Sequence, residues 1–109
     1  MTDTLGQVRD RYLDYIREVR QLSPHTLNNY QRDLDAFVHW ADQRGIAHAD
    51  KIQEADVRQW VSHLHRRGLA SSSIQRSLSA TRSLFNFLGR ENGYPRNPAA
   101  SVQAPRKPR

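Results

Sequence analysis

The sequence predicts an all-α fold, a compact bundle of four long helices closed by a short C-terminal turn. Three observations carry that expectation. Apolar residues recur in steps of three and four through four separate segments, the spacing of one helix face. Ser23-Pro24 and Gly45, Gly68 and Gly93 punctuate those segments with the chemistry of helix starts and ends. No segment alternates apolar and polar residues as a half-buried strand would, and the connections are short.

The first helix spans about residues 4–21, with Leu5, Val8, Tyr12, Ile16 and Val19 on its apolar stripe. Its other side alternates Arg9, Asp10, Arg11, Asp14, Arg17 and Glu18, a solvated face of opposed charges that needs no partner. Serine at an N-cap accepts from free backbone N–H groups, and proline at the first helical position forfeits no hydrogen bond. The second helix therefore starts at Pro24 and runs to about residue 44. Leu27, Tyr30, Leu34, Phe37, Val38 and Ala41 share one arc of it, with Trp40 off that arc and semi-exposed.

A connection over about residues 45–53 lends Ile46 and Ile52 to the core. The third helix, about 54–67, buries Val57, Trp60, Val61 and Leu64, and Gly68 closes it. The fourth, about 71–92, takes Ser71 or Ser72 as its cap. Its stripe is Ile74, Leu78, Thr81, Phe85 and Leu88, widened by Leu84 and Phe87. Tyr94-Pro95 and Asn97-Pro98 prevent further long helix. From Val102 the chain reads VQAPRKPR, prolines and bases with nothing to bury. The expected domain is thus 1–101, and 102–109 reads as the start of a basic, proline-rich linker of a larger protein.

The 109 residues suffice for one modest core, and charged residues make up 26% against 37% hydrophobic. The net charge of +6 is unevenly spread. The first 68 residues hold ten basic residues against ten acids, and the remaining 41 hold seven against one. Attraction to a polyanion is therefore focused on the last helix and the tail. Cysteine is absent, which excludes disulfides and thiolate metal sites. No apolar run approaches a membrane span, and the N-terminus lacks the apolar core of a signal peptide. A soluble, cytoplasmic protein with no membrane partner is expected.

The face of the fourth helix opposite its stripe holds Ser72, Gln75, Arg76, Ser79, Arg82, Ser83, Asn86 and Arg90, with no carboxylate of its own. A merely solvated face usually mixes both signs. Hydrogen-bonding groups with positive charge suit an anion with readable edges, which points to double-stranded DNA. The second helix begins with similar chemistry at His25, Asn28, Asn29 and Arg32, acids reaching that side only at Asp35 and Asp42. Arg76 and Arg82 are the expected principal contacts, and Arg9 and Arg17 are not. Trp40 and Trp60 read as packing residues rather than base-stacking platforms.

No catalytic set emerges. His63 and His65 fall on different helix faces, and His25, His39 and His48 are scattered, so no metal site is expected. No glycine-rich phosphate loop is present, and no hydroxyl has an identifiable base and orienting partner. Neither a metal nor a small-molecule cofactor is expected.

Leu22-Ser23-Pro24 with Thr26-Leu27, Tyr30 and Asp33-Leu34 resembles the LSPxTLxxYxxDL signature of the Xer-type tyrosine recombinases. Ser72-Ser73-Ile74, Arg76, Leu78-Ser79-Ala80, Arg82, Phe85, Phe87 and Leu88 resemble the family's SSIxRxLSALRxFFxFL helix. Asn97-Pro98-Ala99 stands where the family has NPA, and Ala104-Pro105-Arg106-Lys107-Pro108-Arg109 is similar to the linker of its XerC branch. Thr81 replaces a usual leucine, and Ala70-Ser71 stands where Ser-Pro often opens the helix.

The resemblance implies an N-terminal SAM-like core-binding domain that clamps one face of a recombination site. A catalytic domain carrying the tyrosine nucleophile would follow, so none of Tyr12, Tyr15, Tyr30 or Tyr94 takes that role and the chain itself is not an enzyme. The parent would resolve chromosome dimers with a XerD-like partner, without metal or ATP. The implied DNA-facing helices are the second and fourth, with His25, Thr26, Asn28, Asn29, Arg32, Ser72, Ser73, Gln75, Arg76, Ser79, Arg82 and Ser83 as the DNA-binding residues. A stand-alone helix-turn-helix regulator and a helical protein-interaction module are the alternatives.

Overall fold

The computed structural model describes residues 3–93 and 96–104. Tyr94-Pro95 and the linker residues 105–109 lie outside the described residues. Four α-helices are present and no strand among the described residues: α1 Leu5–Glu18, α2 Pro24–Gln43, α3 Glu54–Arg66 and α4 Ser71–Asn92. A single 3-10 turn, Ala49–Lys51, lies between α2 and α3, and the chain turns again over 98–101. The all-α bundle with a C-terminal turn expected from periodicity is the observed fold.

Phe37 of α2 joins three of the helices. Its ring meets Trp60 of α3 edge-on at 5.6 Å, Phe85 of α4 at 6.4 Å, and stacks near Trp40 at 6.2 Å. Trp40 is correspondingly buried, a correction to its semi-exposed placement: the stack with Phe37 and Trp60 draws it inward. On the other side, Phe87 of α4 packs against Tyr12 and Tyr15 of α1 at 5.5 and 5.1 Å. The Arg11–Glu91 pair joins the same two helices one turn further along, so α1 and α4 run in opposite senses. Thr4 caps α1 in a reciprocal capping box with Gln7, while the Leu5 N–H bonds Ala47 across the chain.

α1 ends sooner than its periodicity suggests. Gln21 takes a left-handed φ of 51°, and the Leu22 N–H returns to the Ile16 carbonyl six residues back, a widened turn that stops the helix. Leu22 folds back against the core, and Val19 is left 67% exposed rather than on the buried stripe.

α4 also starts differently. The cap position is Ala70, with no side-chain cap bond, and Ser71 to Ser73 fill the first turn. Gly68 at φ +82° and Leu69 complete the reversal from α3, and Leu69 is anchored on the core, so helix begins before a serine can stand at the cap. Packing likewise outlasts the predicted boundary. Ala99 and Val102 are buried, the latter contrary to the reading that nothing after residue 101 is buried. The reason is a polar clasp from α4, whose Arg82 binds the Ala99 and Val102 carbonyls.

Candidate nucleic-acid interface

α2 and α4 lie side by side in the same sense, both opposed to α1. Asp33 on α2 meets Arg76 on α4, and one turn along α2 Phe37 meets Phe85. The polar arcs of the two helices therefore adjoin. Thr26 is held in the α2 cap, its hydroxyl accepting from Ser23 Oγ at 2.9 Å and its N–H bonded to the same oxygen at 3.2 Å. His25, Asn28 and Arg32 are exposed on α2 and Asn29 is half-buried. On α4 Ser72 and Gln75 are exposed, while Ser73, Ser79 and Ser83 are half-buried.

The face of α4 carries no carboxylate of its own, yet α2 supplies one. Arg76 donates Nε to Asp33 Oδ2 at 2.8 Å and Nη2 to Asp33 Oδ1 at 3.1 Å. Asp33 is the acid that periodicity missed: on α2 it falls four residues after Asn29 and four before Phe37, on the boundary between polar and apolar arcs. The acids on this side thus begin before Asp35. The hydrogen bonds that Asp33 accepts raise the Arg76 pKa further above its ordinary range, against a smaller opposing effect of burial.

The other two arginines of this face are also held. Arg82 donates Nε to the Ala99 carbonyl at 3.1 Å and Nη2 to the Val102 carbonyl. Asn97 completes the clasp, donating to the Arg82 carbonyl at 3.0 Å and to Asn86 Oδ1 at 2.8 Å. Gln103 and Ala104 then border a shallow depression with Gln75, Ser79 and Arg82. Arg90 turns to α1, its guanidinium 5.9 Å from the centre of the Tyr15 ring. Ser83 likewise lies toward α1, near the buried Tyr12 hydroxyl but outside hydrogen-bond geometry. Burial pushes the Tyr12 pKa up, with Ser83 opposing.

The open part of the face is consequently its N-terminal half: His25 to Arg32 on α2 and Ser72 to Ser79 on α4. Chain sense places the start of both helices at the end of the bundle where α1 and α3 finish. Arg20, Arg66 and Arg67 stand at that end, and together with Arg32 they form no ion pair among the described residues. Arg66 and Arg67 escaped the sequence reading because acids elsewhere on α3 balance them in the count. By contrast Arg9 pairs with Asp10 and Asp35 at 3.1 and 3.3 Å, and Arg17 with Asp14 at 3.1 Å. No three histidine or carboxylate groups converge as metal ligands among the described residues. No described helix is long and apolar enough to cross a membrane.

Residues 10–92 match the sequence profile of the phage integrase N-terminal SAM-like domain. The whole chain is 42% identical over 109 residues to the tyrosine recombinase XerC of Escherichia coli O1:K1 / APEC, of which it covers 36%. It is 42% identical, with the same coverage, to the XerC of Shigella dysenteriae serotype 1 (strain Sd197). The chain thus spans about a third of the length of these curated relatives. No solved structure matches it significantly.

Proposed function

Because this chain belongs to the phage integrase N-terminal SAM-like domain family, we propose that it is the DNA-clamping N-terminal domain of a XerC-like tyrosine recombinase. The observation that carries this reading is the surface shared by α2 and α4, where Arg32, with no ion pair among the described residues, flanks short polar side chains and the Asp33–Arg76 pair. Arg20, Arg66 and Arg67 supply phosphate-attracting charge at one end of it. Short serines at 72, 73 and 79 let a duplex approach the α4 backbone, and His25, Asn28, Asn29 and Gln75 offer donors and acceptors to base edges.

In this reading the domain grips one face of a recombination site and leaves strand cleavage to a catalytic domain beyond the linker. The packed unit extends to Val102, and the basic residues that follow lead toward that second domain. Tyr12 is buried and Tyr15 and Tyr30 are half-buried in the bundle, which suits packing rather than nucleophilic attack. Tyr94 lies outside the described residues. The parent, working in the cytoplasm with a XerD-like recombinase, would resolve chromosome dimers.

The test is a titration of the chain against duplex DNA at graded salt. Engagement of Arg20, Arg32, Arg66 and Arg67 would make log K fall with log salt with a slope of about −3 to −4. Binding that is absent at low salt, or indifferent to salt, would remove the proposal and favour a protein-interaction module.

A further inference from the structure

Arg76 is held in a way that leaves one particular edge of its guanidinium available. The two bonds to Asp33 use Nε–H and one Nη2–H. A guanidinium carries five N–H donors in one plane. The remaining three are both hydrogens of Nη1 and the second of Nη2, and none has a partner among the described residues. Nη1 and Nη2 together form the end-on fork that spans O6 and N7 of guanine in the major groove. The Asp33 side chain is only 10% exposed, whereas that of Arg76 is 38% exposed. The carboxylate is therefore the buried member of the pair, and Arg76 is the member whose side chain reaches solvent.

We propose that Asp33 is a positioning residue that makes Arg76 a reader of guanine rather than a general attractant for phosphate. The inference rests on the DNA-binding reading above and adds to it a base and a device. Two bonds from one carboxylate fix both the plane and the rotation of the guanidinium, which a single contact would not. They also cancel its charge, so the pair contributes little long-range pull on the backbone and mostly direction at close range. The neighbours suit close approach: Ser72, Ser73 and Ser79 lie within one turn of Arg76 on α4, and Asn29 lies one turn before Asp33 on α2. None is long enough to cover the fork.

The chain is first used to enrich duplexes from a randomised pool. Each guanine of the enriched duplex is then replaced in turn, and affinities are measured at one salt concentration for the wild type, Asp33→Asn and Arg76→Lys. For the wild type, one guanine should be worth about tenfold in affinity. Asp33→Asn keeps the shape but weakens the anchor, and should reduce that preference to about twofold or less. It should leave binding to a shuffled duplex unchanged or tighter, since a negative charge has been removed. Arg76→Lys keeps the charge but offers no fork, and should lose the same preference. The double variant should discriminate no worse than Arg76→Lys alone.

If both variants keep the full guanine preference while all duplexes weaken by one common factor, the pair is a structural tie and the proposal falls. Should Asp33→Asn fail to fold, Asp33→Glu takes its place. It keeps the carboxylate but shifts it by one methylene, so it should also blunt the guanine preference, and full retention of that preference overturns the proposal. A wild type that binds DNA but enriches no guanine-dependent sequence overturns this inference and leaves the clamp intact. A wild type that binds no duplex overturns the clamp itself.

Discussion

Arg76 and Arg82 stand six residues apart on the same face of α4, and the fold treats them in opposite ways. Arg76 is held by a carboxylate, which cancels its charge and leaves its outer donors without a partner among the described residues. Arg82 is held by the carbonyls of Ala99 and Val102, which keep its charge but wrap it in the tail. The α2–α4 surface is thereby divided into an open N-terminal half and a C-terminal half closed by the chain itself. Helical projection sets the two arginines at opposite edges of one polar arc with the same chemistry, whereas tertiary contacts decide which can meet a partner.

The closed half should respond to mutation through stability. Phe85 lies beneath the C-terminal turn, lining a groove with Pro98 and Ser101, and it is buried edge-on to Phe37. Phe85→Ala should cost about 3–5 kcal/mol of folding stability, read from urea unfolding. An unchanged unfolding midpoint would mean that the closed half does not rest on this ring. Arg82→Ala comes next, at about 1.5–3 kcal/mol, because two charge-assisted bonds to the tail are lost together. Hydrogen exchange should accelerate at the Ala100 and Val102 amides, which bond Asn97 and Ala99 within the clasped turn. Loss of DNA affinity with the turn still protected would instead place Arg82 among the DNA contacts.

In the open half the expected response is affinity with little change in stability. Arg32→Ala and Arg66→Ala each remove an exposed cation with no ion-pair partner among the described residues, and each should lower the salt slope of DNA binding by about 1. Arg9→Ala and Arg17→Ala remove the same charge from α1, where acids already answer it. Their effect on the slope should be smaller. Equal losses from all four substitutions would reduce the proposed interface to diffuse attraction.

The helices and their buried stripes were legible because each repeats its chemistry every three or four residues. Thr81, an odd member of an apolar stripe, is buried and satisfied by the Ser77 carbonyl four residues back. What escaped depends on contacts between segments remote in the chain. Asp33 looks unremarkable on α2 until Arg76 is brought to it from 43 residues away. Val102 looks like linker until Arg82 binds its carbonyl. Arg66 and Arg67 disappear in a charge count, since the count ignores which end of α3 carries the acids. The resemblance marked α2 and α4 as the DNA-facing helices but could not show that a tail covers part of one.

The smallest effect offers the most local probe of where phosphate sits. His63, in the last turn of α3, stacks on Trp60 at 5.7 Å and lies 6.3 Å from Trp40. Burial lowers its pKa below the ordinary 6.5, and the nearby charges of Arg67 and Arg66 lower it further. Since the unfolded chain then binds a proton more readily than the folded one, His63 contributes stability that is present above pH 6.5 and lost as pH falls through the folded pKa. His63→Gln should flatten that part of the pH–stability profile. Phosphates engaged by Arg66 and Arg67 would offset the two positive charges without relieving the burial. The His63 pKa, followed by its imidazole NMR signals, should therefore rise when a duplex binds but stay below the ordinary value. If the titration is unmoved by saturating DNA, the backbone does not pass the end of α3, and the open half must be engaged through α2 and the exposed turns of α4 alone.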